Sequence, residues 1–150
     1  MESSNNTYSV KKQALILVAL QLVIGLAFGV IALTLILFGF ISEAAAEFLQ
    51  HSNLSTLVCF IVGAPLFVVI SEKKHPGQLR ERIGAISRWA TVYMIIFVAL
   101  VLGVALLAMG SLQLNAVMLA IYAGALMITG ALCFVGNYMF LKLGLKIGPK

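Results

Sequence analysis

The sequence predicts an all-α integral membrane protein, a four-helix bundle, and three observations carry that reading. Of its 150 residues, 62% are hydrophobic and only 10% are charged, where soluble domains carry about 25% charged residues. The apolar residues form four long runs, at about 14–41, 54–70, 89–109 and 116–141. All ten Lys and Arg flank those runs and none lies inside one. A chain this short cannot hide so much apolar surface from water, so lipid is the expected solvent for most of it. Residues 1–150 read as one membrane domain.

A net charge of +5 on a soluble surface would suggest nucleic acid. Here the basic residues stand at the ends of apolar runs, where positive charge orients a membrane protein and meets anionic headgroups. The expected partner is therefore an anionic bilayer, and no nucleic acid.

The polar stretch before the first run, ending in Lys11 and Lys12, reads as an unstructured tail. The run 14–41 would make a helix of about 40 Å, longer than a hydrocarbon core of about 30 Å, so it must tilt or project. Its two preceding lysines and Ala44-Ala45-Ala46 imitate a cleaved signal peptide, but signal cores run only about 7–15 residues. Gly25 and Gly29 form a small-xxx-small pair that lets a second helix approach closely.

Residues 42–53 make the first connection. Glu43, Glu47 and His51 recur every four residues, so a continued helix would align them on one face. That spacing could supply metal ligands, but it more often marks the solvated face of a helix end. No metal is assigned. Asn5-Asn6-Thr7 and Asn53-Leu54-Ser55 have the form of glycosylation acceptors, and nothing else points to a secretory pathway that would use them.

The second run, 54–70, is near the lower limit for crossing and contains Pro65, which removes a backbone hydrogen bond and is expected to kink the helix. Next comes the basic loop 71–88, which holds five of the ten Lys and Arg: Lys73, Lys74, Arg80, Arg82 and Arg88. Pro76-Gly77 marks a turn. Leu79, Ile83 and Ile86 then share a helical stripe, predicting a short amphipathic helix that lies in the headgroup region and leads into the interfacial anchor Trp89. These five basic residues and Trp89 are the candidate contacts for lipid headgroups or a partner.

The third and fourth runs, 89–109 and 116–141, are joined by the short uncharged segment 110–115 and are expected to form an antiparallel hairpin. Ala99 and Gly103 make a second small-residue pair, and Ala120, Gly124, Gly130 and Gly136 line the fourth run. Helix 1 runs outward and helix 4 inward, so Gly29 and Gly130 should meet near mid-membrane, where helices 1 and 4 are expected to be closest. Gly29→Leu is then expected to cost more than Gly39→Leu near the outer end.

Orientation follows from charge. With four spans, the two tails and the loop 71–88 share one side and carry all ten basic residues. Cytoplasmic segments are enriched in Lys and Arg, so both the N-terminus and the C-terminus are expected in the cytosol.

No acid, base or His lies inside a span, which argues against a proton-driven pump. The one-sided charge also separates this chain from small multidrug exporters and fluoride channels that insert both ways. Among neutral polar residues, Gln21 and Asn137 both lie toward the cytosolic end, and a hydrogen bond between helices 1 and 4 is expected there, as structural glue or as a substrate contact. Cys59 and Cys133 differ in depth by about 15 Å, too far for a disulfide. Glu72, Glu81 and His75 fit no catalytic motif, so no enzyme and no cofactor is expected.

In outline, the chain resembles small uncharacterised four-span inner-membrane proteins of Gram-negative bacteria. The likeness rests on its length, its proline-containing basic loop with Arg80-Glu81-Arg82, and a final helix running into Gly144 and a lysine-tipped tail. The resemblance implies a multi-pass protein of the bacterial inner membrane and no particular activity. The functional expectation is a non-enzymatic accessory or interaction protein, with a homo-oligomer or another membrane protein as partner. The alternative is a small passive channel or transporter.

Overall fold

A computed structural model of the chain describes residues 2–42, 54–74, 77–108 and 116–147, with side chains in 9–42, 56–74, 77–104 and 119–146. The expected features at Glu43, Glu47, His51, Asn53, Pro76 and 109–115 lie outside the described residues, as do the side chains of Asn5 and Thr7. The described residues form four helices: α1 (Glu2–Leu37), α2 (Leu54–Lys74), α3 (Leu79–Ala108) and α4 (Ala116–Ile147). Each contains a segment long and apolar enough to cross a membrane: Ser9–Leu37, Thr56–Lys74, Leu79–Val104 and Leu119–Lys146.

Two boundaries differ from expectation. The polar N-terminal stretch is not an unstructured tail but the first turns of α1, where Val10 and Gln13 are already buried. The basic segment is not a long loop. Residues up to Lys74 continue α2, and Leu79 starts α3, which runs unbroken through Trp89. Leu79, Ile83 and Ile86 are at most 6% exposed and pack into the bundle. An apolar stripe satisfies either lipid or a neighbouring helix, and tertiary packing took this one.

The apolar run 14–41 outlasts its helix. Gly39 has φ +70°, and the chain closes on itself there: Gly39 N donates to Ile36 O at 3.0 Å and Phe40 N to Leu35 O at 3.0 Å. This pair of bonds satisfies carbonyls that the helix end leaves open, and a left-handed residue is what permits it.

Around the bundle the order is α1, α2, α4, α3. α1 packs on α2 and α3, α4 packs on α2 and α3, and α1 and α4 occupy opposite corners. The turn between α2 and α3 therefore carries the chain across a diagonal. Gly77, with φ +76°, sits in that turn, and its N–H is held by Glu72 Oε2 at 2.9 Å.

Among the described residues, the starts of α1 and α3 and the ends of α2 and α4 gather at one end, which we term the basic end. The apolar core sits in that half, with Ala14, Leu17, Phe67, Val68, Ile86 and Leu141 at 2% exposure or less. In the far half the helices turn large apolar side chains outward, including Leu26, Val30, Leu37, Leu100 and Met127.

Candidate functional site: a polar crosslink and a basic rim

The face that α1 turns inward is Val10, Gln13, Ala14, Leu17, Val18 and Gln21, a spacing of three and four residues. α4 does the same with Cys133, Asn137, Leu141 and Gly144. Two amides thus reach the bundle axis from opposite corners. Gln21 Nε2 donates to Asn137 Oδ1 at 2.7 Å, and both residues are essentially inaccessible, at 1% and 0% exposure. Asn137 Nδ2 in turn donates to Cys133 Sγ at 3.4 Å, a weak bond.

Gln21 crosses to α4 past bare backbone. A Cβ placed at Gly63 of α2 would stand 3.0 Å from Gln21 Cγ. A larger residue here would press on the Gln21 side chain, so the constraint comes from the neighbour and not from the glycine's own conformation. The basic half also buries Ser87 Oγ and the Oε1 atoms of Gln13 and Gln21 without a hydrogen-bond partner among the described residues. Thr91 spends its hydroxyl on Ser87 O at 2.9 Å. The core at the basic end is therefore apolar in bulk with a polar seam, and several acceptors in that seam are unsatisfied.

The small-residue positions divide. Gly25 meets α2, where a Cβ would stand 2.9 Å from Cys59 Sγ, and Gly130 meets α3, at 2.8 Å from Ile95 Cδ1. Gly29, Gly103 and Gly124 have open space, and Ala99 and Ala120 are exposed. The expected close approach of α1 and α4 at Gly29 and Gly130 is not found. The reason is topological: α1 and α4 are diagonal, so their backbones stay apart and only long side chains bridge them. Gly136, one of the small residues of the fourth run, stands against the Phe60 ring, and a contact not anticipated occurs at Gly144, where a Cβ would lie 3.2 Å from Pro65 Cα. Cys59 and Cys133 are free thiols.

The basic residues also divide. Lys73, Lys74, Arg80 and Arg88 are exposed. Arg82 turns to α1 and donates to Ser9 Oγ at 3.3 Å, and Lys11 Nζ lies 4.4 Å from the centroid of the half-buried Trp89 ring. Trp89 is thus part of the α1–α3 seam, a role the sequence reading of an interfacial anchor did not include. On the other flank, Lys73 and Arg80 join Lys142 and Lys146 of α4 around a groove of about 1190 Å³ between α2, α3 and α4. Sequence reasoning missed this groove because the two lysines lie far from the loop in the chain.

Among the described residues no group of three or more His, Cys, Asp and Glu is placed to hold a metal ion. No known protein family, curated protein or solved structure matches this chain.

Proposed function

We propose that this chain is a multi-pass protein of the bacterial inner membrane, with both termini in the cytosol, acting as a non-enzymatic accessory protein that binds other membrane components. Support for the setting comes from the four long apolar helices and from the charge: every described Lys and Arg lies at one end of the bundle. The observation that carries the accessory reading is the filled axis. Leu17, Phe67, Ile86 and Leu141 belong to one buried cluster at no more than 1% exposure, and the buried Gln21–Asn137 bond spans the axis, so the basic end is packed.

Reconstitution tests this. Purified protein in liposomes is expected to give no solute flux or ionic current, and affinity capture from native membranes is expected to return a stoichiometric protein partner or further copies of the chain. Protein-dependent flux would overturn the reading.

The polar seam favours the second reading, a small passive channel or transporter. Unpartnered Gln13 Oε1, Gln21 Oε1 and Ser87 Oγ are the kind of neutral groups that would line a closed gate. Flux that rises in Asn137→Ala, where the packed end is opened, would select it.

A further inference from the structure

The groove between the ends of α2 and α4 and the start of α3 has a charged rim and an apolar floor. Lys73, Arg80, Lys142 and Lys146 surround it, against Glu72 and Glu81, leaving it net positive. Val68 and Ile83, 2% and 6% exposed, form part of its lining together with Leu145. Lys73 and Lys146 stand in the last turns of α2 and α4, where cations are favoured, and α3 brings the positive end of its dipole to the rim. Tyr138 completes the wall, with Lys142 Nζ 5.8 Å from its ring centroid. Glu72 Oε2 accepts from Gly77 N–H at 2.9 Å, which ties this carboxylate to the turn at the edge of the groove and leaves the four cations to set its sign.

We propose that this groove seats the headgroup of an anionic glycerophospholipid, its phosphodiester held by Lys73, Arg80, Lys142 and Lys146. The inference rests on the membrane reading above, which would put this end of the bundle at the height of the cytosolic headgroups. Basic pockets between membrane helices on that side are where anionic lipid heads lodge. The apolar floor suits the glycerol backbone and the first methylenes of the acyl chains. Phosphatidylglycerol carries a net negative charge; phosphatidylcholine has the same phosphodiester, but its quaternary ammonium cancels that charge and would face the four cations of the rim.

The full-length protein is purified in detergent, and retained lipid is counted by native mass spectrometry with phosphatidylglycerol or phosphatidylcholine added. Wild type should hold phosphatidylglycerol at least about tenfold more tightly, as expected of a charge-selective site. Lys73→Gln with Lys146→Gln should lose that preference. Lys11→Gln with Lys12→Gln, which removes the same charge from α1, outside the groove, should keep it. Equal loss in both variants would mean diffuse attraction and overturn the site. Glycerol 3-phosphate competing as well as the lipid would overturn the lipid as source. A photoactivatable phosphatidylglycerol on wild type should label the peptides of α2, α3 or α4 that line the groove, and labelling confined to α1 or to the opposite ends of the helices would overturn the site whether or not the variants fold. Membrane insertion is read separately by resistance to alkaline carbonate extraction, so its failure is distinguishable from failure of the groove.

Discussion

Gln21 and Asn137 are 116 residues apart in sequence, stand on diagonally opposed helices, and meet at 2.7 Å in the bundle axis. Side chains alone span that diagonal, so the bond ties together two hairpins that otherwise touch along their flanks. Gln21→Leu and Asn137→Leu should each destabilise the protein, and a double-mutant cycle should give a coupling of about 0.6–1.7 kcal/mol, the range seen for interhelical hydrogen bonds in lipid. The measurement is unfolding in mixed detergent, and strict additivity of the two changes would show that the bond contributes nothing.

The glycines should sort by what they touch. Gly144→Ala pushes a methyl toward Pro65 backbone, which cannot rotate away, and should cost about 1–3 kcal/mol. Gly29→Leu meets open space and should be tolerated. Gly39→Leu, at φ +70°, should cost about 1–2 kcal/mol through left-handed backbone strain. This ranking reverses the one the sequence suggested for Gly29 and Gly39. Ordered melting temperatures of the three variants would decide it.

Ile86 is wholly buried while Leu26 is 70% exposed. Ile86→Ala should therefore destabilise by about 2 kcal/mol, and Leu26→Ala by much less, because only the first leaves a cavity between helices. Equal effects would return the stripe at Leu79, Ile83 and Ile86 to the lipid surface.

Alkaline phosphatase fused after Asn115 in a bacterial host should be active, and fusions after Ser87 or at the C-terminus should be inactive. The charge asymmetry that underlies this expectation is independent of helix packing. The opposite pattern would invert the orientation.

Four apolar runs, flanking charge and two amides at matching depth were legible in the chain, because hydropathy and charge report on each helix by itself. The expectation for Gln21 and Asn137 came from depth alone, and depth follows from residue count at a fixed rise. Helix order around the bundle was not legible in that way. In a soluble helix an apolar stripe marks the inward face; beside a membrane it can meet lipid or a neighbouring helix, so the sequence of α3 is equally consistent with Leu79, Ile83 and Ile86 facing lipid or core. The same ambiguity hid which glycines matter: Gly29 and Gly144 look alike in sequence, yet only Gly144 lies against another backbone. Residue depth is a property of one chain segment. Which helix each face meets depends on how all four pack at once, and that pairing is what brought Lys142 and Lys146 to the same groove as Lys73 and Arg80.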